Sequence, residues 1–299
     1  TPVLAAPIGR RIQANAAAMT VLFKSGRIGY GMEVCRGDVI EEAMRKVIGI
    51  GETVYDIFFR DGRPAGATPG GSTYNSMISL GRAGISAEMI SETGDDRVGR
   101  LITGFLEENG VSAGSVCVHR GQKSALSLAF LNDCRDAEYV FYKDHANDRL
   151  EFVYPAVSPG DVVLFGSYYA VNPVVRGQVR AFLAYARANG AILYYDVNFR
   201  ASHRDEAAAL LPVVRENMAM SDVVRGSRED FEVLFGKGEI DEFYGAEIAG
   251  RVNNFIYSRG AEPAELIAAG GVRKRYPAET VEVVSTVGAG DSFNAGLIY

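Results

Sequence analysis

Beyond residue 45 the chain alternates short apolar runs with longer stretches in which apolar residues recur every three to four positions. The runs at 46–52, 161–166, 191–197 and 222–224 have the length and content of strands buried on both faces, and 81–90 leads into another. Between them, 97–109, 174–189 and 206–220 carry the helical period. In the first of these Val98, Leu101, Ile102, Phe105 and Leu106 form one face, and Gly190 marks the stop of the second. Strands alternating with helices predict an α/β fold whose parallel sheet is covered on both faces.

Two segments break that rhythm. Residues 57–60, followed by Asp61 and Gly62, and residues 124–130 followed by 138–143 alternate at period two. They predict a smaller antiparallel sheet inserted into the α/β body.

A length of 299 residues accommodates a large core plus a small second domain or lid. The formal net charge of −6 argues against a general nucleic-acid binder. Cys35, Cys117 and Cys134 are too scattered for a disulfide framework or a zinc site, which points to a reducing, cytoplasmic compartment. No apolar run reaches membrane-spanning length, no signal peptide is recognisable, and three scattered histidines make a His-rich metal site a poor expectation.

The densest chemistry lies at 285–296. Gly288, Ala289 and Gly290 carry so little side-chain bulk that successive backbone N–H groups can close on an anion. A helix starting at or just after Asp291 would add its N-terminal dipole to that cradle. Asp291 then stands where a phosphate and an incoming hydroxyl meet, as a base rather than a phosphate ligand. No Gly-Lys-[Ser/Thr] follows, so the turn is not a Walker A loop.

This string resembles the C-terminal signature of the ribokinase-like, PfkB-type carbohydrate kinases, D-T-x-G-A-G-D followed by Phe and Gly, with Ser285 in place of the leading Asp. The resemblance implies a three-layer α/β/α domain with a mainly parallel central sheet and a small β-sheet lid over the sugar, contributed by 57–69 and 124–143. It implies an ATP- and Mg²⁺-dependent phosphotransferase, with Thr286 on the nucleotide side, and it admits a monovalent cation such as K⁺ and a homodimer through the lid. Small-molecule sugar and ATP are its partners, with no nucleic acid and no membrane.

Other motifs fit the same family. Gly70, Gly71 and Asn75 resemble its N-terminal G-G-x-x-x-N, which holds sugar hydroxyls, and Asp56 matches its early sugar-binding Asp. Glycines allow close backbone approach, an amide supplies donors and an acceptor, and a carboxylate accepts from vicinal hydroxyls. Residues 94–99 resemble G-D-D-x-x-G, read here as structural, with Asp95 or Asp96 capping the following helix. Asp196-Val197-Asn198-Phe199-Arg200 resembles D-x-N-x-R at the carboxyl end of a strand, where open parallel sheets bind ligands. Asn198 would line the phosphate path, Arg200 would contact sugar or phosphate, and Lys143 matches a basic lid position directed at the sugar.

Residues 226–230 stand in place of the family's N-x-x-E, with Ser227 for Asn and Asp230 for Glu. The resemblance makes Asp230 an acidic residue acting on Mg²⁺ through water, with Glu229 as its rival. Ser258 and Gly260 match T-x-G beside the nucleotide phosphates. The resemblance covers 44–299. Residues 12–29 within the 1–43 extension resemble the family's C-terminal tail, which would put Asn15 near the adenine. A circular permutation, the end of an upstream kinase copy, a sequence fragment and an unrelated helical extension all account for 1–43.

The leading expectation is therefore an ATP-dependent sugar kinase, with fructose the first acceptor, and 2-keto-3-deoxygluconate or ribose the alternatives. A non-catalytic sugar-sensing protein on the same fold is the reading from another class. A dinucleotide-dependent dehydrogenase is rejected, because Gly49 and Gly51 lack the third glycine of G-x-G-x-x-G.

Overall fold

The computed structural model describes residues 45–131, 137–142, 150–279 and 287–299. The expectations for 1–43 with Asn15, and for Lys143, Ser285 and Thr286, lie outside these residues. In chain order the strands are β1 (Val47–Ile50), β2 (Val54–Arg60), β3 (Arg63–Gly70), β4 (Ala87–Gly94), β5 (Val111–His119), β6 (Leu126–Leu131), β7 (Ala137–Tyr142), β8 (Val162–Gly166), β9 (Ile192–Asp196), β10 (Val223–Ser227), β11 (Asn254–Arg259), β12 (Glu262–Ala268) and β13 (Val272–Tyr276). The α-helices are α1 (Ser72–Arg82), α2 (Arg97–Glu108), α3 (Arg176–Ala188), α4 (Ala207–Met220), α5 (Arg228–Phe235), α6 (Ile240–Phe243) and α7 (Ala289–Ile298).

Nine strands form one sheet in the order β13-β12-β11-β10-β9-β8-β1-β4-β5. From β5 to β11 every pairing is parallel, and β12 and β13 extend the edge antiparallel. Alternate residues of a strand face opposite sides, so these strands are apolar on both. Ile48, Ile50, Val163, Phe165, Leu193 and Tyr195 face a core shared with α3, α4 and α5. Val47, Val162, Leu164 and Tyr194 face a second core with α1, α2 and α7. The three-layer expectation therefore holds, and α1 packs beside α7 on one face.

The second sheet runs β3-β2-β6-β7. It is mixed rather than antiparallel, because β2 pairs with β6 in parallel. The reason is topological. β1 and β5 are parallel strands of the body, and the chain leaves the same edge after each, so the outgoing lid strands run the same way. β3 and β7 pair antiparallel with them.

Several elements have no counterpart among the sequence expectations: α1, β5, α5, α6 and the strands β11 to β13. Within α2, Ile102 and Leu106 are fully buried, whereas Leu101, read on the same face, is half exposed. Among the described residues no helix is long and apolar enough to cross a membrane.

Candidate active site

The site is organised by the start of α7. Gly288 is its N-cap in the left-handed region (φ 75°, ψ 5°), where a side chain would be strained. The helix begins at Ala289, two residues before the earliest expected start, so Asp291 lies inside the first turn. An intrahelical bond runs from Ser292 N–H to the Gly288 carbonyl at 2.9 Å. The N–H groups of Ala289, Gly290 and Asp291 precede it and have no acceptor within the helix, which leaves them for an anion.

Asp291 itself is only 6% exposed. Its Oδ1 accepts from Ser72 Oγ at 2.9 Å and its Oδ2 from Asn75 Nδ2 at 2.9 Å. Both donors sit on the first turn of α1, whose N-cap is Gly71 at φ 130°. Burial holds the Asp291 carboxyl above its ordinary range, and the charge of Asp196 adds to this. The Asn75 and Ser72 hydrogen bonds and the Arg200 charge pull the other way. Asn75, expected at sugar hydroxyls, donates its amide nitrogen to the Asp291 carboxylate.

Asp56 lies on β2 between Thr68 of β3 and Ser127 of β6. Ser127 Oγ donates to Asp56 Oδ1. A side chain at Gly70 would run into the Asp56 carboxylate, and one at Gly71 into the Glu52 carbonyl. The tight approach expected of both glycines is thus in part an internal one. Burial pushes Asp56 up to about 6, Ser127 opposes this, and Glu52 adds to it. On β7 the Tyr139 phenol is raised by burial and by the charges of Asp56 and Asp291, while Arg200 lowers it. Asp56, Tyr139, Arg200 and Asp291 therefore share one electrostatic neighbourhood.

At the carboxyl end of β9, Asp196 is buried and doubly engaged. Arg225 Nη1 donates to its Oδ1 at 3.0 Å and Asn294 Nδ2 to its Oδ2 at 2.7 Å. Asn198 adopts φ 36° and is 7% exposed, and its Nδ2 is buried with no partner among the described residues. An orphaned donor at a strand end fits a ligand oxygen. Arg200 is exposed beyond it.

The expected nucleotide residues have internal partners. Ser227 Oγ accepts from Asp230 N–H at 3.3 Å, and Asp230 Oδ2 accepts from Ser227 N–H at 2.6 Å, a reciprocal cap on α5. Asp230 is buried, with burial pushing its pKa up to about 6. Glu229 is exposed. Ser258 Oγ accepts from Arg225 Nη2 at 2.8 Å, and Gly260 turns at φ 57°. Asp96 caps α2, accepting from Gly99 N–H at 2.8 Å, in keeping with its structural reading. No group of three His, Cys, Asp or Glu side chains among the described residues could hold a metal.

A buried carboxylate at a glycine-started helix, held by two donors from a second helix, is a layout many folds could carry. The profile described as pfkB family carbohydrate kinase matches residues 44–299. The chain belongs to the pfkB family. It is an ATP-dependent sugar kinase. Fructokinase-1 of Oryza sativa subsp. japonica is 26% identical over 237 residues, covering 77% of this chain and 72% of the relative. The 5-dehydro-2-deoxygluconokinase 2 of Bacillus cereus is 25% identical over 240 residues, with coverage of 77% and 72%. A double-mutant fructokinase from Vibrio cholerae O395, crystallised with fructose, ADP and potassium ion, superposes with a TM-score of 0.76 at 22% identity, covering 85% of this chain and 83% of that one. The aminoimidazole riboside kinase of Salmonella enterica gives 0.71 at 24%, covering 85% and 84%. At these identities the solved structures establish the fold.

Two polar residues of this pfkB kinase escaped the sequence reading. Ser72 occupies an unspecified position of G-G-x-x-x-N, and it donates to Asp291. Arg225 was passed over because the strand was ended at Val224. The available signal was a basic residue inside a short apolar strand, close to the carboxyl end of the sheet where ligands bind.

Proposed function

We propose that this kinase transfers the γ-phosphate of ATP to a hydroxyl of fructose or a closely related sugar, with Asp291 as general base. The observation that carries the proposal is the Asp291 carboxylate, buried at the start of α7 and oriented by two donors from α1. Asp56 and Asn198 would hold sugar or phosphate oxygens across the cleft, with Gly70, Gly71 and Asn75 shaping its floor and Arg200 at its mouth.

The hydroxyl proton passes to the Asp291 carboxylate as the oxygen attacks the γ-phosphorus. The bond from that phosphorus to the bridging oxygen breaks, and ADP leaves. The N–H groups at the start of α7 stabilise charge on the transferred phosphoryl oxygens. Mg²⁺ would neutralise charge on the phosphate oxygens. Its shell is largely water and phosphate, which suits a protein without a cluster of carboxylate ligands among its described residues. Asp230, with one oxygen held by Ser227 N–H, suits contact through water, and the exposed Glu229 is the rival. Closure of a lid excludes water, which would otherwise compete as nucleophile.

Fructose is favoured by the fructokinase relatives, and K⁺ is worth including in assays because the Vibrio fructokinase structure contains it. The dehydrodeoxygluconokinase relative favours a second acceptor class, an acidic keto sugar, for which the exposed Arg200 supplies a cation. A homodimer through the lid is supported by the half-exposed Phe141 and Tyr142 of β7, and light scattering tests it. ADP release over fructose, 2-keto-3-deoxygluconate, 5-dehydro-2-deoxygluconate, ribose and adenosine, with and without K⁺, tests the acceptor. Turnover of fructose above the others supports the proposal, and preference for an acidic sugar replaces it with the second reading.

A further inference from the structure

The start of α7 rests on a guanidinium. A Cβ placed at Gly290 would lie 3.3 Å from both Nη1 and Nη2 of Arg225 and 3.6 Å from its Cζ. The guanidinium thus lies against the space that a side chain at Gly290 would occupy, beside the helix turn that carries the free N–H groups. Arg225 is 7% exposed and sits in the middle of β10, paired in register with Asp196 at the carboxyl end of β9. Its Nη1 binds Asp196 of β9 and its Nη2 binds Ser258 of β11, so three adjacent strands hold it in place. Its Nε is buried with no hydrogen-bond partner among the described residues. Phe293, one turn into α7, lies with its ring centroid 5.9 Å from Cζ.

We propose that Arg225 is a positioning residue for phosphoryl transfer, fixing the first turn of α7 and supplying a positive charge beneath the phosphate cradle. Asp196 explains why the charge is needed. It is a buried carboxylate at the same end of the sheet, and its field already acts on Asp291. Left unpaired, it would repel the phosphate oxygens through a poorly screening interior. Paired with Arg225, it becomes an anchor, since its other oxygen binds Asn294 of α7. Asn294 Oδ1 in turn accepts from Tyr194 OH at 3.0 Å. Asp196, Arg225 and Asn294 thus form a buckle between the sheet and the helix that bears Asp291. Gly290 is the position that lets the helix sit on it.

A merely structural ion pair makes a different forecast. The neutral double variant Asp196→Asn with Arg225→Gln keeps hydrogen-bonding groups and leaves no buried charge unpaired. Compared with wild type, it should keep its melting temperature within a few degrees and its sugar affinity. Its kcat should fall about ten- to hundredfold, with affinity for a non-hydrolysable ATP analogue about tenfold weaker. A double variant with wild-type kcat and analogue affinity overturns the proposal and leaves Arg225 a stabilising residue only. Should this variant fail to fold, Arg225→Lys decides. Retained charge should keep analogue affinity within about threefold of wild type, whereas a tenfold loss overturns the electrostatic role. Melting and analogue binding need no acceptor sugar, so an incorrect fructose assignment leaves this test readable.

Discussion

Asn75 Nδ2 donates to Asp291 Oδ2 at 2.9 Å, joining residues 216 positions apart. With Ser72 on the other oxygen, the first turn of α1 grips the carboxylate at the first turn of α7. Two helix starts thus meet on one carboxylate, and both begin with a glycine in a positive-φ conformation, Gly71 and Gly288. The grip orients the carboxylate, and its hydrogen bonds oppose the upward push that burial gives the Asp291 carboxyl.

If Asp291 takes the hydroxyl proton, Asp291→Asn should reduce turnover by roughly 10²–10⁴ while leaving melting temperature and ATP affinity close to wild type. The amide keeps the shape and can still accept from Ser72, but it cannot take the proton. Turnover, calorimetric ATP binding and thermal melting on the same preparation check this. Near-wild-type turnover would remove Asp291 from the role of base.

The donors on α1 should set the acidic limb of the pH profile. Hydrogen bonds to the ionised form lower a carboxyl pKa, so deleting one raises it. Asn75→Ala should therefore move the acidic limb of kcat to higher pH, with Ser72→Ala shifting it the same way. A profile of kcat against pH for the three proteins checks the direction. An unmoved limb would mean that another group controls it.

Asp56 carries a separate pH signature. Its folded pKa is raised to about 6, so the native state holds a proton that the unfolded chain releases at lower pH. Native stability then falls as pH rises from about 4 through about 6, and the penalty persists above it. Asp56→Asn removes the penalty and should be more stable than wild type at pH 8, by at most about 3 kcal/mol, with the gap closing towards pH 4. The same substitution should raise the sugar KM, because a charged acceptor is lost, with little change in ATP affinity. Denaturant melts at the two pH values and sugar titrations check both halves.

The α/β alternation and the glycine-started turn with Asp291 were legible because their signals are contiguous in the chain: apolar runs for the strands, Gly-Ala-Gly-Asp for the turn. What escaped was relational. Ser72 matters through Asp291, and Arg225 through Asp196, Ser258 and Gly290, partners that folding alone brings together. Helix α1 was missed because residues 70–75 read as a ligand-binding motif, although Tyr74, Met77 and Ile78 already show the helical period. The edge strands β12 and β13 were missed because an edge need bury only part of its surface, and β13 is mostly exposed and basic. The parallel β2–β6 pairing is set by where the chain leaves the body, which no local pattern records.

Gly290→Ala tests the fit between helix and guanidinium directly. The added methyl would come within 3.3 Å of both Nη atoms of Arg225, tighter than ordinary contact, and 3.6 Å from its Cζ. Arg225 has little room to yield, since Asp196 and Ser258 hold both Nη atoms. Helix propensity alone would make alanine the better residue by about 1 kcal/mol. The two effects separate by readout. If crowding wins, affinity for a triphosphate analogue and kcat should both fall, because α7 lifts from its seat and carries its N–H groups and Asp291 with it. If propensity wins, the variant melts higher and binds the analogue as well as wild type, and the helix does not need the guanidinium pressed against it.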